Sequence, residues 1–64
     1  MQIKLNGETH VTSVVTLADL LAELDMDGRV ATAVNECFVP ANNRADTKLA
    51  NGDRVEILAP MQGG

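Results

Sequence analysis

The sequence predicts an α+β domain in which a mixed β-sheet packs on one helix, with the elements in the order β-β-α-β-β-β. Residues 1–5 alternate apolar and polar side chains, which is typical of a half-buried strand. Four leucines recur at the spacing of one helical face: Leu17, Leu20, Leu21 and Leu24. Residues 54–59 alternate again, and at 64 residues the chain has room for one domain.

The first predicted element is a β-hairpin. The alternating strand Met1–Leu5 is followed by Asn6-Gly7, a pair that tolerates the positive φ angles of a tight two-residue turn. Residues 8–12 then return as a second, more polar strand.

The helix is predicted to begin after Thr16, whose hydroxyl can cap the first turn. Asp19 follows three residues later and completes a variant of the capping box. The leucine stripe predicts the buried face, and Asp19 and Glu23 lie off that stripe. Residues 25–28 are expected to end the helix.

The second half of the chain is predicted to hold the remaining strands. Residues 30–34 form a short strand of small side chains, and Asn35-Glu36 form a tight turn. Cys37–Val39 form a brief strand that Pro40 stops.

Residues 41–50 are polar and irregular, with one helical turn expected near Asp46–Leu49. Asn51-Gly52-Asp53 predicts another turn, which leads into the last strand, residues 54–59. A right-handed crossover places this last strand beside the first one. The arrangement is a β-grasp, with the helix on one face of the sheet and the other face available to partners.

Composition excludes several classes of function. Nine acidic and five basic residues give a net charge of −4, and one residue, Phe38, is aromatic. A nucleic-acid-binding face needs basic and aromatic side chains, so nucleic acid is not expected as a partner. A single cysteine, no signal peptide and no membrane-spanning segment predict a cytoplasmic protein without membrane contact.

The chain offers few side chains for catalysis. Cys37 is the only soft nucleophile, but Glu36 beside it disfavours a thiolate, so we expect Cys37 to be a packing residue. His10 has no neighbouring ligands for a zinc site and is expected to be solvated. Among the carboxylates, Asp46, Asp53 and Glu56 near the C-terminal tail could guide docking to a basic partner.

The last five residues, Pro60-Met61-Gln62-Gly63-Gly64, are the most informative feature. Two terminal glycines predict a flexible tail, residues 60–64, beyond a folded domain of residues 1–59, because glycine loses the most backbone entropy on ordering. Such a tail extends about 17 Å. Its narrow tip could enter a channel in a partner and present the carboxylate of Gly64 as the reacting group. On a random domain, a frayed end without function is the more common alternative.

In these features the chain resembles the ThiS family, the sulfur carrier proteins of thiamine biosynthesis, which are ubiquitin-like β-grasp proteins. The shared landmarks cover the whole chain and include Asn6-Gly7, residues 16–21 (TLADLL), Ala33-Val34-Asn35 and Phe38-Val39-Pro40. The most specific part is the run of residues 51–58 (NGDRVEIL) followed by Met61-Gln62-Gly63-Gly64. The chain departs from the family where an arginine and a glycine are often found, at Ala41 and Glu36.

The resemblance implies a mechanism centred on Gly64. An ATP-dependent, ubiquitin-activating-like adenylyltransferase would recognise the tail at Met61, Gln62 and Gly63 and adenylate the Gly64 carboxylate. A persulfide sulfur donor protein and a reduction would then leave a thiocarboxylate, which donates sulfur to thiazole synthase. The chain would bind no cofactor or metal, and would be a recycled co-substrate rather than an enzyme. The candidate partner surface comprises Phe38, Asp53, Glu56 and Leu58.

Other functions are compatible with the same residues. The small subunit of molybdopterin synthase uses the same fold and thiocarboxylate chemistry, and sulfur carriers serve further pathways. A protein modifier joined to lysines through Gly64 would give conjugates of higher mass. A β-grasp interaction module would keep its function after deletion of Gly63 and Gly64.

Overall fold

A computed structural model describes residues 1–26 and 29–59, which contain five strands, one α-helix and one 3₁₀ helix. The strands are β1 (Gln2–Leu5), β2 (Glu8–Val11), β3 (Ala31–Val34), β4 (Cys37–Val39) and β5 (Arg54–Leu58). The helices are α1 (Leu17–Glu23) and the 3₁₀ helix (Ala41–Asp46). Every predicted strand is present, with small shifts at the ends.

The strands form one mixed sheet in the order β2-β1-β5-β3-β4. β5 runs parallel to β1 and antiparallel to β3, while the two outer pairs are hairpins. The predicted position of the last strand beside the first is therefore confirmed, and β5 lies at the centre of the sheet. This is the β-grasp arrangement.

Helix α1 begins at the predicted capping box. The hydroxyl of Thr16 accepts a hydrogen bond from the Asp19 amide at 3.1 Å, and the Asp19 carboxylate accepts one from the Thr16 amide at 3.3 Å. These two bonds satisfy amides that a helix N-terminus otherwise leaves without partners. In the part of the chain that the structure describes, no helix is long and apolar enough to cross a membrane.

Helix α1 ends in a Schellman motif. Asp25 adopts a φ of 58°, its amide donates to Ala22 O, and the amide of Met26 donates to Leu21 O. The predicted end of the helix at residues 25–28 is confirmed for Asp25 and Met26, whereas Asp27 and Gly28 lie outside the described residues.

The core lies between α1 and one face of the sheet. Its members are aliphatic and come from the leucine stripe, the strands and the segment before β5: Ile3, Leu17, Leu20, Leu21, Val39, Leu49, Val55 and Ile57. Leu24, the last leucine of the predicted stripe, is the C-cap residue and is only partly buried. The helix thus covers one face of the sheet, as its periodicity predicted.

The prediction of a helical turn near Asp46–Leu49 is wrong. The helical residues are Ala41–Asp46, and the backbone after them is extended. Leu49 is only 9% exposed, and its amide donates to Val15 O at 2.9 Å, which holds this segment against the approach to α1. Burial of Leu49 therefore favours the extended conformation, which the polar local sequence did not predict.

Arg44 anchors the 3₁₀ helix to the sheet. Its side chain is 6% exposed, and its Nε donates to Thr32 Oγ1 at 3.0 Å. Thr32 Oγ1 in turn donates to Val39 O at 2.8 Å, and the Arg44 guanidinium also donates to Val30 O. A buried cation is stable only when its N–H groups have acceptors, and this network supplies them.

Candidate functional site

The predicted tail lies outside the described residues. Met61, Gln62, Gly63 and Gly64 are therefore placed by the sequence alone. The structure describes the chain as far as Ala59, which directly follows β5. The structure therefore describes the segment from which the predicted tail extends, Ile57–Ala59, and the surfaces around it. This segment is called the tail root.

β5 is held from both sides because it is a central strand. On one side β3 pairs with it along four positions, from Val34 opposite Val55 to Ala31 opposite Leu58. On the other side β1 pairs with it only at its beginning, where Leu5 lies opposite Val55. The tail root is thus supported by the backbone of β3 but lies beyond the end of β1.

Two asparagine side chains complete the pairing of β5. The amide group of Asn6 bonds the backbone of Ile57 twice: Oδ1 accepts from the Ile57 amide at 2.8 Å, and Nδ2 donates to the Ile57 carbonyl at 3.1 Å. At the other end of β5, Asn35 Oδ1 accepts from the Arg54 amide at 3.0 Å. Both asparagines have positive φ angles, 50° and 51°, in two-residue turns between paired strands.

The face of the sheet opposite α1 carries most of the predicted partner surface. Phe38 and Glu56 both lie opposite Ala33, on β4 and β5, and Leu58 lies opposite Ala31. Directly opposed residues of antiparallel strands point to the same face, so these side chains share one surface. Phe38 is 69% exposed and Leu58 is 66% exposed, which is unusual for large apolar side chains.

This apolar surface is slightly concave. Two alanines form its floor between the larger side chains, and the depression has a volume of about 120 Å³. Its lining consists of Ala31, Thr32, Ala33, Phe38, Glu56 and Leu58. Because Leu58 is the last residue of β5, the depression lies directly beside the tail root.

Charged side chains border the depression on the side away from the tail. A second, wider groove of about 310 Å³ is lined by Lys4, Gly7, Glu36, Arg54, Val55 and Glu56. Arg54 Nη1 lies 3.7 Å from Glu36 Oε2, and both side chains are largely exposed. Such an exposed pair contributes little to stability and leaves its charges accessible to a partner.

Asp53 occupies a different position from the other three predicted surface residues. Its carboxylate accepts hydrogen bonds from the Ala50 amide at 2.8 Å and from Asn35 Nδ2 at 3.1 Å. These bonds close the turn that precedes β5. In this structure Asp53 therefore orders a turn, while Phe38, Glu56 and Leu58 form the continuous surface.

The expectation that Cys37 is a packing residue is wrong, because Cys37 is exposed. It begins β4, an edge strand with a neighbour on one side only, directly after the Asn35-Glu36 turn. Within residues 1–26 and 29–59, no cluster of histidine, cysteine and acidic side chains could hold a metal ion.

His10 also differs from its expected solvated state. Its ring is partly buried, and Nε2 lies 2.9 Å from Glu23 Oε2 at the end of α1. Thr12 Oγ1 donates to the other oxygen of the same carboxylate at 2.8 Å. The hydrogen bonds from His10 and Thr12 hold the pKa of the Glu23 carboxyl below its usual value.

Sequence reasoning missed the roles of the asparagine side chains and of Arg44. The pair Asn6-Gly7 identifies a turn by its backbone preferences, but the same pattern contains no information about a bond to Ile57, 51 residues away. Arg44 lies in a polar stretch, and nothing local distinguishes it from an exposed arginine.

Comparison with known proteins identifies relatives along the whole chain. The sequence profile of the ThiS family matches residues 2–64. A thiazole synthase from Paramagnetospirillum magneticum is 36% identical over 66 residues, an alignment that covers 100% of this chain and 20% of that protein. The chain thus spans about one fifth of the length of this curated relative.

Solved structures show the same fold. A crystal structure of the thiamine biosynthesis protein ThiS from Geobacter metallireducens is 25% identical, with a TM-score of 0.85, and both chains are covered completely (100% each). The solution NMR structure of a thiamine biosynthesis protein from the same organism gives a TM-score of 0.82 at 25% identity, covering 100% of this chain and 88% of that one.

Proposed function

Because the chain belongs to the ThiS family, we propose that it carries sulfur for thiazole formation, with the carboxylate of Gly64 as the group that is modified. As a member of this family it is a small sulfur carrier and not a catalyst. The observation that carries the proposal is that the family profile extends through Gly64, so the Gly-Gly pair falls inside the matched region.

The chemistry begins with activation of a poor acyl donor. A carboxylate does not react with a sulfur nucleophile at neutral pH because oxide is a poor leaving group. An ATP-dependent adenylyltransferase, similar to ubiquitin-activating enzymes, would join Gly64 to AMP and release pyrophosphate. The resulting mixed anhydride loses AMP readily.

Sulfur then enters from a persulfide. The outer sulfur of a cysteine persulfide on a donor protein attacks the Gly64 carbonyl carbon, and AMP leaves. The product is an acyl disulfide, and a thiol reductant supplies two electrons to break its S–S bond. Gly64 then ends in a thiocarboxylate, and the donor protein recovers its cysteine thiol.

The proposed acceptor is a thiazole synthase. The thiocarboxylate sulfur is a soft nucleophile that attacks an electrophilic carbon of the ring precursor and forms a C–S bond. Hydrolysis of the bond between the Gly64 carbonyl and this sulfur then leaves the sulfur on the precursor and returns Gly64 to a carboxylate. The similarity to a thiazole synthase from Paramagnetospirillum magneticum supports this partner. The same similarity favours thiazole formation over molybdopterin synthesis, which uses the same thiocarboxylate chemistry.

We place the docking of these partners on the surface beside the tail root. Phe38 and Leu58 expose apolar area that binding would remove from water, and Glu56, next to Leu58 on the same face of β5, adds a negative charge. A partner that holds the tail in a channel would also contact this depression, because Leu58, which lines it, is the last residue of β5 before the tail. Basic residues on the partner would complement the net charge of −4.

Top-down mass spectrometry tests the proposal. The untagged chain is incubated with the cognate activating enzyme, ATP, a persulfide donor and a thiol reductant, and its exact mass is measured. Exchange of oxygen for sulfur has nearly the same mass as oxidation of a methionine such as Met61, so fragmentation must localise the change. Sulfur on Gly64 is the expected result. An unmodified Gly64 under these conditions overturns the proposal.

The matched control is the same chain extended by one alanine after Gly64. The extension converts the Gly64 carboxylate into a peptide bond and leaves the sequence of residues 1–59 unchanged. This variant should therefore fold normally and acquire no sulfur. Loading of the extended chain would show that sulfur is attached elsewhere.

A further inference from the structure

β5 loses its second neighbour just before the tail begins. In the parallel ladder, the Lys4 amide donates to Asp53 O and the Asn6 amide donates to Val55 O, each at 2.9 Å. The bonds of a parallel ladder are evenly spaced, so the next ones would involve the amide and carbonyl of Ile57. The backbone of β1 turns away at Asn6, which has a φ of 50°, and provides neither.

The side chain of Asn6 provides both. Its Oδ1 accepts from the Ile57 amide at 2.8 Å, and its Nδ2 donates to the Ile57 carbonyl at 3.1 Å. A carboxamide presents one acceptor and one donor in the same plane, as a peptide group does. Asn6 therefore extends the ladder of β1 past the point where its backbone ends.

We propose that Asn6 is a positioning residue for the modification of Gly64, because its side chain fixes the tail root from which residues 60–64 extend. This inference rests on the proposed function. Two residues separate Ile57 from the start of the tail, so the bonds of Asn6 on one side, with the pairing of β3 on the other, hold the point where the tail leaves the sheet. The adenylation step then receives a tail of defined origin and length.

Fraying of the tail root would weaken productive binding. Strand ends open locally at low free-energy cost, and a partner that needs the closed form binds less well in proportion to the fraction that is closed. Each hydrogen bond lost at such an end raises the ratio of the open to the closed form by roughly two- to tenfold, so the loss of both bonds can make the open form a substantial fraction. The effect appears in KM for the carrier and leaves kcat unchanged, because the bound complex is the same.

The protein contains a matched control for this role. Asn35 occupies a turn like that of Asn6, has a φ of 51°, and bonds the backbone of β5 through Oδ1. Its bond is to Arg54, at the opposite end of the strand from the tail. Asn6→Gly and Asn35→Gly therefore remove the same group from the same backbone conformation, and glycine accepts both positive φ angles without strain.

Amide hydrogen exchange and activation kinetics test the proposal together. In Asn6→Gly we expect exchange of the Ile57 amide to accelerate about tenfold, and KM for the carrier in ATP–pyrophosphate exchange to rise by a smaller factor, up to about tenfold, at constant kcat. In Asn35→Gly we expect faster exchange at Arg54, with exchange at Ile57 and KM unchanged. Asn6→Asp keeps the acceptor but puts a carboxylate oxygen in place of the donor against the Ile57 carbonyl, so it should also accelerate exchange at Ile57 and raise KM.

The outcomes distinguish a failure of the role of Asn6 from a failure of the proposed function. Equal exchange at Ile57 in both glycine variants, or equal changes of KM, overturns the role of Asn6, as does faster exchange at Ile57 with an unchanged KM. If the activating enzyme does not adenylate the wild-type chain, the proposed function is contradicted, and so is a role of Asn6 in adenylation. The hydrogen-exchange data would still show whether Asn6 holds the tail root.

Discussion

His10 and Glu23 join the outer strand of the sheet to the end of the helix, with His10 Nε2 and Glu23 Oε2 2.9 Å apart. Thr12 donates to the second oxygen of the same carboxylate, so both oxygens of Glu23 are bonded. Among the strands that the structure describes, β2 has a neighbour only on its β1 side. The cluster of His10, Thr12 and Glu23 therefore fastens an edge strand to the helical layer.

This cluster predicts a pH dependence of stability. The pKa of Glu23 is lower in the folded protein, first through its hydrogen bond with His10 and then through that with Thr12, so the carboxylate form stabilises the fold. The contribution is complete above the ordinary pKa that Glu23 has in the unfolded chain and is lost as the pH falls through the lower folded pKa. Thermal unfolding from pH 7 to pH 2 should show Glu23→Gln less stable than wild type near neutrality, with the difference disappearing in acid.

Glu8→Gln is the control for this titration, since Glu8 is exposed at the start of β2. Its unfolding curves should follow those of wild type. A difference between wild type and Glu23→Gln that stays constant down to pH 2 would refute the electrostatic origin.

Leu20→Ala should cost about 2–5 kcal/mol of the free energy of unfolding, because a cavity replaces a side chain that is 0% exposed. Leu58→Ala makes the same chemical change at a side chain that is 66% exposed, and should change stability by less than about 0.5 kcal/mol. Urea denaturation followed by circular dichroism measures both. Similar losses in the two variants would contradict the assignment of the core face.

Glu36→Gly should stabilise the protein by up to about 1 kcal/mol. Glu36 has a φ of 71°, a conformation that costs a residue with a Cβ roughly 1–2 kcal/mol and glycine almost nothing. The greater freedom of glycine in the unfolded chain offsets part of this gain. Comparison of melting temperatures with Glu36→Ala isolates strain from charge, because alanine removes the carboxylate but keeps the Cβ. Equal stabilisation by both would point to charge.

Thr32→Val should destabilise the protein by about 1–3 kcal/mol although it preserves the shape of the side chain. The Thr32 hydroxyl accepts from Arg44 Nε and donates to Val39 O inside the core, and valine can do neither. Thr32→Ser keeps the hydroxyl and loses a methyl group, so its cost should be smaller, about 1 kcal/mol. Chemical denaturation of the two variants gives the comparison, and the reverse order would contradict the network.

Gly63→Val should block activation without changing stability. The proposed channel for the tail accommodates backbone but not a branched side chain, and residue 63 lies outside the folded domain predicted for residues 1–59. ATP–pyrophosphate exchange with the cognate activating enzyme measures the block, and thermal unfolding provides the control. Normal exchange by this variant would eliminate the channel from the mechanism.

Most of the fold follows from patterns that span a few residues. The turn at Asn6-Gly7, the Thr16–Asp19 capping box and the leucine stripe each depend on side chains no more than seven positions apart, and all are present in the structure. The alternation of residues 54–59 identified β5 and, with the handedness of the crossover, its place beside β1. Local spacing is sufficient here because it reports helix and strand periods directly.

The errors share one physical origin. The position of the 3₁₀ helix, the partial burial of His10 and the exposure of Cys37 depend on which surfaces meet after the chain has folded. Periodicity carries no information about such contacts.

For the functional site, the sequence by itself identified the family, the Gly63-Gly64 pair on which the proposed function depends, and the alternation that exposes Glu56 and Leu58 together. Only the tertiary structure separated Asp53 from the surface that Phe38, Glu56 and Leu58 share, and only it brought Asn6 to the backbone of Ile57. That bond joins residues 51 positions apart, and it forms because β1 and β5 are parallel neighbours in one particular register. The register of the sheet determines which distant backbone group a side chain such as Asn6 can bond. This register depends on burial of the whole core rather than on a pattern of a few neighbouring residues.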